Sequence, residues 1–224
     1  MAKNNQQETQ QEQVATTVSG VEEFFKKNQK WIEWALIALI VVVLGILAIN
    51  RWVVTPARQE AQGQMFQAEQ AFRNGDYETA LNGNGNVFGF ADIISQYGRK
   101  AGKSANLYAG LCNLQLGNNE EAVSYLKKYS TKDKIMQGRA WCALGDAFSN
   151  MQDYKSALNW YKKAAALEEN AYTASYLFKA GLVSEELGDK AGALKLYKEI
   201  ETKYPQTLEG YDIQKYISRI ENAE

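Results

Sequence analysis

GRAWCALGDAFSNMQDYKSALNWYKKAAALEENA, residues 138–171, is the stretch on which the fold turns. Trp141, Leu144, Gly145 and Phe148 recur at steps of three and four. Asp153-Tyr154 interrupts them, and Ala157, Tyr161 and Ala164 resume the spacing. Such steps put side chains on one face of a helix, so the stretch predicts two helices joined by a turn. The layout returns in residues 174–207, with Leu177, Ala180 and Gly181, then Gly188-Asp189, then Ala193, Tyr197, Ile200 and Pro205. Residues 103–136 repeat it with Ala109 and Gly110, then Gly117-Asn118, then Ala122, Leu126 and Tyr129. Ala122, Ala157 and Ala193 are 35 and 36 residues apart. A fourth copy, about 61–102, turns at Gly75-Asp76-Tyr77 and goes on to Ala80 before an insertion at 82–92 breaks its second helix.

In such a helix pair a large side chain, here Trp141 with Leu144, fills the gap between helices. Small residues (Gly110, Gly145, Gly181) let the backbones approach. Gly75, Gly117 and Gly188 end the first helix because glycine accepts the left-handed conformation found there. One pair cannot bury its apolar face, so copies stack. Period and residues resemble the tetratricopeptide repeat, about 34 residues long with a W-x2-L-G-x2-Y…A-x3-F…P pattern. Trp141-x-x-Leu144-Gly145-x-x-Phe148 follows it with one change, and Pro205 holds the closing position of its copy. The fold class is therefore all-α: one apolar N-terminal helix, then an α-solenoid of about four helix pairs (55–224), closed by a capping helix at 207–222. Asn106 and Asn113 stand where large apolar residues are usual, which predicts a weaker core there. Gln152 replaces the turn glycine of its copy. The insertion, Asn82-Gly83-Asn84-Gly85-Asn86-Val87-Phe88-Gly89, lacks the glycine spacing, preceding strand and following Lys of a phosphate loop. It reads as a flexible loop with Phe88 and Phe90 tucked against helices.

Ahead of the repeats, Ala35 to Ile49 is an uncharged run in which eleven residues are Leu, Ile or Val. Trp31, Trp34 and Trp52 stand at its ends, where indoles favour the headgroup layer. As a helix, Trp31 to Trp52 measures ~32 Å, against a hydrocarbon core of ~30 Å. Residues 31–54 are thus expected to span a membrane, and without a small-residue cleavage site they read as uncleaved. Residues 1–20 are Gln/Asn/Thr-rich with nothing to bury and read as disordered. Residues 21–30 read as a short amphipathic helix whose Val21, Phe24 and Phe25 rest on the membrane or bind a partner. Thr55-Pro56 reads as an N-cap and first helical residue. Lys26, Lys27 and Lys30 before the run, against Arg51 and Arg58 after it, favour a cytoplasmic N-terminus.

The chain has no histidine, a net charge of −1, and two cysteines. Without histidine the commonest general base and zinc ligand are missing, and no Ser/Lys or Cys/Lys pair suggests a nucleophile. Catalytic, metal and cofactor sites are expected to be none. Charges after residue 55 are mixed in sign, which excludes nucleic acid as an expected partner. Acidic pairs such as Glu185-Glu186 read as solvated. Cys112 and Cys142 read either as buried thiols or as one disulfide.

In stacked pairs the first helices line a groove. The groove positions are Met65, Glu69 and Phe72; Leu107, Leu111 and Leu114; Cys142, Asp146 and Ser149; and Phe178, Leu182 and Glu185. Its apolar set suits an extended or helical protein segment.

The arrangement of short N-terminus, aromatic-ended anchor and repeats resembles the ancillary subunit family of the bacterial SecYEG translocon. That resemblance implies an inner-membrane, single-pass protein with a periplasmic repeat domain. Its partners would be translocon subunits, secreted chains or periplasmic chaperones. The alternatives are a scaffold for envelope assembly, division or secretion, and a cytoplasm-facing membrane adaptor.

Overall fold

The computed structural model describes residues 27–222. The expected tail (1–20), the segment's aromatics Phe24 and Phe25, and Lys26 lie outside them. The chain divides after Pro56 into two units.

The first unit is the helix α1 (27–49), followed by a π-helical turn at Asn50–Val54. Its apolar side chains stand bare: Leu39 is 59 % exposed, Val41 62 %, and Trp31, Trp34 and Trp52 are all above 70 %. Among the described residues it is the one helix long and apolar enough to cross a membrane, a property shared with N-terminal signal sequences. Thr55 is not an N-cap. Its φ and ψ are helical, and both its N–H and its hydroxyl bond the carbonyl of Asn50. Pro56 brings no N–H and crowds the carbonyl one turn back, and the wider π turn leaves it room.

The second unit, from Ala57 on, holds all but the first two residues of α2 (Thr55–Arg73), then α3 (Tyr77–Asn82), α4 (Phe90–Tyr97), α5 (Lys103–Gln115), α6 (Asn119–Leu126), α7 (Lys134–Asn150), α8 (Tyr154–Leu167), α9 (Thr173–Glu186), α10 (Lys190–Lys203) and α11 (Leu208–Glu221). Four turns separate α2/α3, α5/α6, α7/α8 and α9/α10, and all four share one hydrogen-bond pattern. Asp76, Asn118, Asp153 and Asp189 each donate their N–H to the carbonyl five residues back, which caps the preceding helix. The residue before each has positive φ: Gly75, Gly117, Gly188, and in the third turn Gln152 at +61°. Asp76, Asp153 and Asp189 then cap the next helix through their carboxylates. Asn118 instead donates its side-chain amide to Asn113.

Packing repeats with the turns. Ala80, Ala122, Ala157 and Ala193 are fully buried. A Cβ on Gly110 would overlap Leu126, one on Gly145 the ring of Tyr161, and one on Gly181 the ring of Tyr197. The core forms three successive clusters, the last closed by Ile213, Ile217 and Ile220 of α11. Exposed Pro205 lies in the bend before α11.

Other expectations are refined by the packing. Within the insertion, Asn84 N–H bonds Val87 O and Gly89 N–H bonds the Asp92 carboxylate at 3.3 Å. It ends in α4, whose Phe90 is buried against Tyr108 while Phe88 stays 40 % exposed. Trp141 is only half-buried, beside Trp160 with Lys163 Nζ 4.3 Å from its ring centroid. Of the two asparagines expected to weaken the core, Asn113 is buried with its amide donated to Ala109 O at 2.9 Å, whereas the buried Oδ1 of Asn106 accepts no hydrogen bond among the described residues. Glu185 is not simply solvated: it accepts from Tyr197 and pairs with Arg219 at 2.7 Å.

Candidate partner-binding groove

α5, α7 and the start of α9 enclose a cavity of about 420 Å³, closed at one side by Phe72 of α2. Its apolar wall is Leu107, Leu111 and Leu114 of α5, which follow one another at steps of four and three and so share a helix face. Leu107 is buried at its floor, while Leu111, Leu114 and Phe72 are half-buried. The facing wall carries Met136, Arg139, Cys142 and Asp146 of α7. Tyr172 and Tyr176 stack with centroids 6.4 Å apart and close the end.

The charges on this wall differ in kind. Asp146 is neutralised, since Lys179 Nζ lies 2.6 Å and 2.8 Å from its two oxygens and the Tyr161 hydroxyl donates at 2.7 Å. The Arg139 guanidinium is exposed, 5.3 Å from the Tyr172 ring centroid, and in no ion pair among the described residues. Burial, with Asp146 alongside, pushes the Cys142 thiol up to about 12, and burial does the same to Cys112. Both cysteines are free thiols. With such pKa values neither is a thiolate nucleophile near neutrality. Among the described residues no cluster could hold a metal ion.

Of the expected groove residues, the structure brings together Phe72, Leu107, Leu111 and Leu114, with Cys142 and Asp146. The others are elsewhere. Met65 is buried and lines a separate cavity beside Arg58. Phe178 packs edge-on against Tyr216, centroids 4.8 Å apart, and against Tyr197. Leu182 lies near Tyr154 and Arg219. The sequence reading missed Tyr108, Met136, Arg139, Tyr172 and Tyr176, all of which line the cavity. Tyr172 and Tyr176 are one turn apart, a spacing that signals a shared face but not which neighbour it meets.

Tetratricopeptide repeat models match residues 104–133, 138–170 and 175–207. These are tetratricopeptide repeats. Solved structures with a similar fold include the crystal structure of MamA protein, with a TM-score of 0.58 and 19 % identity, covering 72 % of this chain and 82 % of that one. A second crystal structure of MamA gives a TM-score of 0.56 at 20 % identity, covering 70 % and 83 %. At such identity the likeness is one of fold. Among curated protein sequences none matches. Tetratricopeptide repeats are protein-interaction modules, and no enzymatic family is indicated.

Proposed function

We propose that this chain is a membrane-anchored, non-catalytic adaptor that holds a segment of another protein in the α5/α7/α9 cavity. The observation that carries this reading is an open apolar wall, Phe72, Leu111 and Leu114, that the fold leaves half-buried. An apolar surface left accessible inside a concave site is covered favourably by a partner's apolar side chains. The bare surface of α1, with its three exposed indoles, supports a membrane anchor. The finer reading places the protein beside the protein-export translocon, with its N-terminus cytoplasmic and the repeats periplasmic. The clients there would be secreted chains or the chaperones that receive them. This rests on the layout of anchor and repeats.

A photo-crosslinking amino acid at Leu114 tests the coarse and the fine reading together. A discrete adduct with another protein supports the adaptor role, and translocon subunits or secreted chains in that adduct support the placement. Partners confined to envelope-assembly or division machinery would replace the translocon reading, and no adduct would sink the groove.

A further inference from the structure

A second cavity, of about 600 Å³, lies between α2 and the start of α5, away from the groove. Arg58, Arg99, Lys100 and Lys103 line it, with Glu69 as its one carboxylate and Ser104 and Gly102 at the edge. Glu69 is already in contact with Arg73, at 3.5 Å. Lys103 donates to the Ser130 hydroxyl, whereas Arg58, Arg99 and Lys100 enter no ion pair among the described residues. Four like charges line one hollow, and an anion seated there offsets their mutual repulsion. The thirteen-residue α5 also opens toward this hollow from Gly102, with no side chain capping it. Its first amides are free to donate to the same anion.

We infer that this cavity is a binding site for a phosphate group. Guanidinium and ammonium donors facing uncapped helical amides are the donor set that phosphate oxygens take up. The chemistry has two sources, the headgroup of an anionic phospholipid and free phosphate. The headgroup is the source to test first, which rests on the proposed reading of α1 as a membrane anchor: Arg58 follows Trp52 by six residues in sequence.

The test uses the full chain in dodecyl maltoside micelles, with melting followed through its helicity. Dihexanoylphosphatidylglycerol, dihexanoylphosphatidylcholine and inorganic phosphate are titrated separately, with sodium chloride at matched ionic strength as the baseline. A saturable rise in melting temperature with phosphatidylglycerol alone assigns the headgroup, and a rise with inorganic phosphate assigns the free anion. The Arg99→Gln/Lys100→Gln variant should need about tenfold more ligand or beyond, as expected for lost charge-assisted hydrogen bonds. Glu69→Gln removes the opposing carboxylate and should shift half-saturation the other way, so one misfolded variant does not decide the outcome. No rise above the chloride baseline, an equal rise with phosphatidylcholine, or titrations unmoved in the variants would overturn the site.

Discussion

The hydroxyl of Tyr161 donates to the carboxylate of Asp146 over 2.7 Å, from α8 back to α7. Lys179 of α9 completes the set, so one acid ties three successive helices. The next pair repeats the device with different residues: Tyr197 of α10 donates to Glu185 of α9 at 2.6 Å, and Arg219 of α11 closes on it. Each tyrosine ring also lies where a glycine, Gly145 or Gly181, has made room. Close packing and the polar tie are therefore one arrangement.

Burial first, and then the neighbouring carboxylate, raise both phenols above their usual 10.0. A raised tyrosine pKa leaves stability untouched below about pH 10 and withdraws it as pH climbs beyond, because the unfolded chain ionises first. Urea unfolding above pH 10 should show wild-type stability falling by up to about 1.4 kcal/mol per pH unit for each tyrosine. The Tyr161→Phe/Tyr197→Phe variant should fall less steeply. Parallel slopes would mean that these hydroxyls are not held as described.

The third turn runs on Gln152 at a φ of +61°, where its three counterparts use glycine. A side chain in that conformation costs roughly 1–2 kcal/mol. Gln152→Gly should therefore raise stability, by somewhat less than that because glycine also frees the unfolded chain. Gly188→Ala should lower it by about 1 kcal/mol, although no atom stands within 4 Å of the added Cβ. Denaturant midpoints of the two variants should move in opposite directions.

Turn positions were legible because backbone conformation there is demanded of one residue, and glycine before Asp or Asn announces it. The small-residue positions were legible for the same local reason. The groove was read only in part, since it depends on which faces of α5, α7 and α9 meet. The stripe Leu107, Leu111, Leu114 follows from helical spacing alone, and so would Arg139, which stands three residues before Cys142 on the same face of α7, whereas Tyr172 enters the site from the cap position ahead of α9, which the period does not orient. Phe178 shared the expected face and was taken up by Tyr197 of α10 and Tyr216 of α11. Trp141 bore the most recognisable letter of the motif and lies half-exposed. Trp141→Ala should thus cost about 1–2 kcal/mol, less than for a wholly buried indole.

Orientation is testable without any structure. Lys26, Lys27 and Lys30 outnumber the basic residues that directly follow the apolar run by one. Alkaline phosphatase fused after Glu224 should be active if the repeats are periplasmic, and replacing the three lysines with Gln should divide the population. A fusion silent in the wild type would reverse the proposed topology.

The groove itself makes the sharpest distinction between two leucine-like positions that the sequence treats alike. Leu111 lines the cavity and is half-buried, so Leu111→Glu places a carboxylate where it keeps water in the free protein. In a dry contact with an apolar partner segment that charge must be stripped of its water, at a cost of several kcal/mol in binding. Phe178→Glu instead puts the carboxylate among the rings of Tyr197 and Tyr216 and strikes the fold. Leu111→Glu should keep its helicity and lose only the modest stability of a half-buried leucine packed beside Leu107 and Leu144, yet lose the crosslink formed from Leu114. Phe178→Glu should melt earlier whether or not a partner is present. Arg139→Glu separates a carboxylate-bearing segment from a purely apolar one, since reversing that unpaired cation repels only the former. If Leu111→Glu retains the crosslink undiminished, the partner sits elsewhere on the repeats and this cavity is not its seat.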